Sequence, residues 1–335
     1  MPGAVGLVVN PASGKDIRRL VASASVFDNR EKLSIVRRAI LGAIAAGVDR
    51  FVYMPDWHAI VASAIAELRE DSEFEPLPVP STDSALDTTR AAERMRELGV
   101  GCVITLGGDG TNRAFALGWQ DAPLVAISTG TNNVFPQMVE GTVAGAAAGL
   151  VASGKVPLRE ASRQVKVVHV GIEGEKDDLA LIDAVLLDEA FVGARAIWSP
   201  ARLKTLVLAR AEPAVVGMSA IGGLLHPVPD CADVGLVVEA GQGGQEVMAP
   251  IAPGLYAPVH VRTFRQIGLW ETVEVRGPGV LALHGERERR IKPGQAVKLT
   301  VRRNGPIVVD VPAVMHRAAT RGFFRSAQSE ALDGG

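Results

Sequence analysis

Apolar and polar residues alternate in blocks through the first 156 positions. Residues 5–10 form an apolar run that stops at the turn Pro11-Ala12-Ser13-Gly14, which predicts a buried strand. Residues 31–47 carry Leu33, Val36, Ile40 and Ile44 at helical spacing, with Gly47 as a stop. Residues 50–54 predict a second short strand, and Asp56 is placed to cap a helix over 57–69. Asp83, Ser84 or Asp87 caps a helix running to Glu97, with Ala91, Met95 and Leu98 on one face and Gly99 ending it. Residues 102–106 and 124–128 are apolar almost throughout, as in parallel strands buried on both faces. The alanine- and glycine-rich stretch 141–153 predicts a further helix. Strand and helix take turns, so residues 1–156 should form a doubly wound α/β domain.

The pattern changes near Pro157. Short strand candidates follow at 165–170, 179–187, 235–239, 260–263, 272–276, 280–284, 296–302 and 307–311, separated by Gly, Pro and Asp. Helical periodicity survives only at 200–209 and after Ala313. Many short strands at this spacing predict an all-β, sandwich-like domain over 157–315. A C-terminal tail, 316–335, remains and can return to the first domain. The chain shows no internal repeat, low-complexity segment or long charge run.

Composition narrows the function classes. A length of 335 residues suits two domains, and 47% hydrophobic residues exclude a disordered chain. The 35 basic residues are balanced by 37 acidic ones, and only 4% of residues are aromatic, which argues against a nucleic-acid partner. The longest uncharged runs, 122–139 and 213–229, are broken by Gly, Pro, Asn or Thr, so no membrane span is expected. The N-terminus lacks the basic patch and apolar core of a signal peptide. Cys102 and Cys231 are too few for a disulfide framework, and Cys102 reads as a small core residue. A cytoplasmic protein is expected. The 36 glycines are the compositional feature with chemical promise.

Three loops concentrate that promise, each at the C-terminal end of a predicted strand, where open α/β sheets bind ligands. The first is Asn10-Pro11-Ala12-Ser13-Gly14-Lys15. Its Gly-Lys pair is not a P-loop, because Val9 and Asp16 stand where that pattern needs Gly and Ser or Thr. It reads equally as an anion-binding turn and as an ordinary connection. The second is Gly107-Gly108-Asp109-Gly110-Thr111-Asn112. Three glycines let the backbone take positive φ and approach a ligand, and the next helix adds its N-terminal dipole. A carboxylate amid a phosphate cradle repels the phosphate unless it holds Mg²⁺ or takes a proton from an attacking hydroxyl. The competing reading, an Asp-Gly tight turn or cap, does not account for the flanking Gly-Gly. The third loop, Ser128-Thr129-Gly130-Thr131-Asn132-Asn133, suits phosphates, ribose hydroxyls or a helix cap.

These three motifs, in this order, resemble the superfamily of NAD kinases, diacylglycerol kinases and sphingosine kinases. The run Asp87-Thr88-Thr89-Arg90-Ala91-Ala92 is most similar to the ATP-NAD kinase-like branch that includes the acetoin-catabolism (AcoX-type) proteins. Further likeness lies in Leu187-Asp188-Glu189, residues 217–223 and residues 283–286, thinner than in the first half. The resemblance implies ATP-dependent phosphorylation of a hydroxyl with Mg²⁺ as the metal. Asp109 would orient or deprotonate the acceptor and touch the metal. Asn10, Ser13, Gly14, Gly107, Gly108, Gly110, Thr111, Gly130, Thr131 and Asn132 would hold nucleotide and phosphates, and Asp188 and Glu189 the acceptor. The nucleotide partners implied are ATP and NAD, and a homo-oligomer is expected. Aspartate, with an ordinary pKa of about 3.9, is a weak base toward an alcohol, so orientation would be its larger contribution.

Departures fall on the acceptor side. Asp188 replaces the family's Asn, His284 replaces an Asp, and residues 211–218 stand where NAD kinases carry a tyrosine-bearing stretch. A lipid kinase and a non-catalytic nucleotide-binding regulator therefore stay open as alternatives. His58, His169, His226, His260, His284 and His316 lack metal-ligand spacing. Trp57, Trp198 and Trp270 are expected to pack. Arg195, Arg202 and Lys204 read as a solvated face or as phosphate neutralisers.

Overall fold

The computed structural model describes residues 1, 3–14, 27–130, 133–189, 199–284 and 286–325. Lys15, Thr131, Asn132, Arg195 and Trp198 lie outside the described residues.

The first half winds as its pattern predicts. Strands β1 (Val5–Val9), β2 (Arg50–Tyr53), β3 (Glu73–Pro76), β4 (Cys102–Gly107) and β5 (Pro123–Ser128) lie parallel in the order β3-β2-β1-β4-β5. Every residue of β1 and β4 is buried, which explains their predominantly apolar runs. Helices cover both faces. On one side α1 (Asn29–Ala45), α2 (Ile60–Ala66) and α5 (Gly141–Ala152) enclose Val5, Leu7, Ile104 and Val125. On the other, α3 (Ala85–Glu97) and α4 (Asp109–Gly118) bring Ala91, Met95, Phe115 and Trp119 against Val8, Val52 and Val103.

Capping sets the helix starts. Ser84 and Asp87 form a capping box at α3, and Asp28 accepts from the Glu31 amide at α1. Asp56 does accept from the amides of His58 and Ile60, but Ala59 takes φ +48° and delays α2 to Ile60. Trp57 is thereby left outside the helix and 71% exposed, not packed as expected, and Trp270, 64% exposed, packs against the Arg302 guanidinium, 4.7 Å from its ring centroid.

The second half supplies a six-stranded sheet and a four-stranded sheet, here among the described residues. The former runs β12 (Leu255–Gly268), β11 (Val234–Ala252), β10 (Leu203–Leu208), β9 (Asp183–Leu187), β14 (Gly279–Leu283), β15 (Glu286–Ile291). The latter runs β13 (Thr272–Arg276), β16 (Ala296–Arg302), β7 (Val167–Ile172), β8 (Asp178–Ala180). Leu186, Val207, Val237 and Leu281 of one sheet meet Val168, Val170, Val297 and Leu299 of the other in a shared core. The opposite face of the larger sheet packs under α6 (Met218–Leu225), a helix the periodicity did not reveal. The segment 200–209, expected to be helical, is instead the buried central strand β10 after a short 3₁₀ turn.

The two halves are not joined end to end. Strand β6 (Ser162–Gln164) and strand β17 (Ile307–Val309) extend the first sheet beyond β5 in the order β5-β17-β6, β17 parallel to β5. Helix α7 (Val311–Thr320) then buries Val311, Val314 and Ala318 in the first-half core beside α5.

Candidate functional site

The C-terminal ends of β1, β4 and β5 bring the three loops together. The Asn10 amide N–H continues the ladder to Leu106 O at 3.1 Å, and the Thr129 N–H reaches Gly107 O at 3.3 Å. Side chains then close the loops on one another. Asn10 Nδ2 donates to Thr111 Oγ1 at 2.8 Å across 101 residues of chain, and Thr129 Oγ1 donates to Ser13 Oγ at 3.0 Å. Asn10, Ser13 and Thr111, singled out in sequence, are thus one cluster.

The glycines answer to different demands. Gly14 has φ +69°, and a Cβ there would lie 2.5 Å from Thr129 O. Gly107, Gly108 and Gly110 do not take the positive φ expected of them; Gly108 has φ −102°. Space constrains Gly107 and Gly108 instead. A Cβ on Gly107 would lie 2.5 Å from Thr111 Oγ1, and one on Gly108 would lie 2.8 Å from Asn133 Oδ1. Gly110 is exposed, with nothing within 4 Å of its Cβ position, so that side of the helix start is open to a ligand. Gly130 is held through its carbonyl by Ser128 Oγ at 2.9 Å.

Asp109 occupies the first turn of α4, where the helix dipole favours negative charge. Its carboxylate accepts from the Phe135 amide at 2.8 Å and from the Val134 amide at 3.1 Å. The carbonyl of Val134 in turn accepts from Arg210 Nη2 at 2.9 Å, and the Arg210 guanidinium stands 5.9 Å from the Phe135 ring centroid. Arg210 belongs to the second half. Its carbonyl and the Glu212 amide are held by Ser219 Oγ on α6, so residues 217–223 brace the corner that carries it. Asn112, fully buried, links Thr105 Oγ1 (2.7 Å) to Gly108 O (2.9 Å) and stiffens the turn into α4.

A second bridge between the halves starts one helical turn further along α4. Arg113 donates to Leu179 O at 2.7 Å and pairs with Asp178, both side chains largely buried. Two residues on, the Leu181 amide donates to His284 Nε2 at 2.6 Å. His284 has φ +54°, and its own amide reaches Asp183 O. Burial, reinforced by the nearby Arg113 and Arg210 charges, pushes the imidazole down to about 3. The ring is therefore neutral, with Nε2 as acceptor and the proton on Nδ1. The residue that departs from the family's Asp is an uncharged acceptor built into the junction.

Asp188 and Glu189 sit at the end of β9. Asp188 is exposed and ion-paired with Lys204 Nζ at 2.9 Å, which holds its carboxyl below the usual range. Its amide donates to Arg202 O, so its bonds run along the second half rather than to the three loops. Glu189 is half-buried. Sequence reading missed Arg210, Arg113 and Lys32. Only Lys32 left a trace there, as a charged residue in register with the apolar stripe Ile35, Val36, Ala39 and Ile40.

Residues 5–156 match the family model of the ATP-NAD kinase N-terminal domain. Residues 166–304 match the acetoin catabolism protein X C-terminal domain. A relative named acetoin catabolism protein X, from Cupriavidus necator, is 36% identical over 345 residues, covering 98% of this chain and 96% of its own. The chain belongs to the acetoin catabolism protein X family. Among solved structures it is similar to yeast NADH kinase complexed with NADH (TM-score 0.49, 12% identity, 98% of this chain and 90% of that one). A putative diacylglycerol kinase from Bacillus anthracis gives TM-score 0.49 at 13% identity, over 92% of this chain and 97% of that one.

Proposed function

We propose that the chain is an ATP-dependent phosphotransferase whose acceptor is the ribose 2′-hydroxyl of NAD. The observation that carries this reading is the closure of the Asn10, Gly107 and Ser128 loops around the start of α4, with Asp109 at its first position. Phosphoryl transfer asks mainly for positioning and charge neutralisation. The open side of Gly110 at a helix start, where backbone N–H groups and the helix dipole favour anions, suits the phosphates of ATP. Asp109, oriented by the Val134 and Phe135 amides, would accept the proton of the attacking hydroxyl as its oxygen bonds the γ-phosphorus and ADP leaves. Among the described residues no group of three His, Cys, Asp or Glu side chains converges to hold a metal. Mg²⁺ would arrive as Mg·ATP, its ligands mostly phosphate oxygens and water, with one carboxylate from Asp109. The departures at Asp188, His284 and residues 211–218 lie outside the three donor loops.

A second reading, a nucleotide-binding regulator without turnover, draws on one observation: both Asp109 oxygens already accept backbone amides. One assay separates the readings. Purified protein is given ATP and Mg²⁺ with NAD or with a diacylglycerol, and ADP is followed. The phosphotransferase reading expects ADP with NAD and its loss in Asp109→Asn. ADP with diacylglycerol alone would move the acceptor to a lipid. No ADP with either acceptor, alongside a nucleotide-dependent rise in melting temperature, would establish the regulator.

A further inference from the structure

Lys32 is fully buried, an uncommon fate for lysine. It lies on α1 one turn past the Asp28 cap, on the face that packs against the sheet. Its ammonium donates to Ser13 O at 2.7 Å, Pro11 O at 2.8 Å, Asn10 O at 3.0 Å and Asn29 Oδ1 at 3.2 Å. Three of these four acceptors are consecutive-loop carbonyls of the first candidate motif. A buried ammonium is stable only when its protons are met by such acceptors, and the carbonyls in turn are drawn inward beneath the loop.

That inward pull has a consequence on the other side of the loop. The Ala12 and Ser13 amides fold back onto Asn10, at Oδ1 (2.9 Å) and the carbonyl (3.3 Å). Two side chains of the loop then reach its neighbours: Asn10 Nδ2 donates to Thr111 Oγ1, and Ser13 Oγ accepts from Thr129 Oγ1. The anchor comes from α1, the helix that follows the loop.

We propose that Lys32 is the positioning residue of the nucleotide site, seating the 10–14 loop so that Asn10 and Ser13 face the β4 and β5 loops. The proposal rests on reading the three loops as that site. The test is ATP titration by calorimetry into the full chain, its Lys32→Met, Lys32→Gln and Asn10→Ala variants, and the Lys32→Met/Asn10→Ala double variant. Lys32→Met should weaken ATP binding by about tenfold or more while circular dichroism and a cooperative melt persist. Lys32→Gln, which keeps two donors, should fall between. Because both single changes disable one device, the double variant should bind within about twofold of Lys32→Met, whereas independent effects would multiply. Multiplying losses, or Lys32→Met binding like the parent chain, would overturn the proposal. So would failure of both Lys32 variants to fold, which would make the lysine a part of the core and nothing more. A parent chain that does not bind ATP sinks the underlying reading instead, before any variant is compared.

Discussion

Gly107 and Gly110 stand three positions apart and obey opposite constraints. The Cβ position of Gly107 is filled by Thr111, and that of Gly110 is empty. Gly107→Ala should therefore destabilise the fold by about 1–3 kcal/mol through overpacking. Gly110→Ala, on an exposed helical turn, should stabilise it by about 0.5–1 kcal/mol while weakening ATP binding. Denaturant melts paired with calorimetry check both, and equal stability changes would contradict the difference in space. His284 provides a pH test at the same scale. Its folded pKa of about 3 lies below the ordinary 6.5, so the folded state resists protonation. That stabilising contribution is complete above about pH 6.5 and is lost as the pH falls toward 3. His169, lowered chiefly by burial, adds to the same slope. In His284→Asn, a residue that tolerates φ > 0, the fall in melting temperature between pH 7 and 4 should be shallower than in the parent chain. An unchanged slope would refute the buried neutral imidazole. Of these residues, the loop glycines were legible in sequence because they cluster. His284 showed only as a departure, since a burial partner 103 positions away leaves no local pattern.

Elements were most legible where one face is apolar and the ends carry caps. Helix α3 runs Ala85–Glu97 from one of the caps expected for it. β10 was misread because Leu203, Leu206 and Val207 fit a helical period, yet a strand buried on both faces shows no period at all. The hairpin of β11 and β12 runs past its apolar centre across a bulge at 241–244, and the exposed Gln245 and Glu246 still pair with β12 because ladder hydrogen bonds need only backbone. α5 shows why a helix rich in glycine persists. A Cβ on Gly145 would lie 1.9 Å from Ala39 O, and one on Gly42 of α1 would lie 2.0 Å from Thr142 O, so the two helices meet backbone to backbone. Gly145→Ala should cost about 1–3 kcal/mol despite the better helix propensity of alanine. A urea melt reads this directly, and a stabilised variant would show that the helices can part freely.

At the scale of the molecule, the chain crosses from the first lobe to the second after β6 and comes back through β17. The Ile307 amide bonds Ala122 O at 2.8 Å, and β17 separates β5 from β6. A chain ending at Pro306 would leave the β5 edge unpaired and the α5 face uncovered. Its expected outcome is loss of the cooperative thermal transition seen in the full chain, measured by circular dichroism or calorimetry. A sharp melt in the truncated chain would show that the first lobe stands without its last strand and helix. The same return path lets both lobes grip α4, through Arg210 at Val134 and Arg113 at Leu179. The sequence by itself determined the alternation of strand and helix, the β-rich second half and the three glycine- and hydroxyl-bearing loops, because periodicity, caps and turn residues are written in neighbouring positions. Tertiary structure alone decided that Lys32 anchors the first loop, that Arg210 braces the segment holding Asp109, and that residues 307–309 complete the first sheet. Those depend on which distant groups share a buried space, and the energy of a buried charge or an unpaired strand edge is set by that space rather than by the residues beside it.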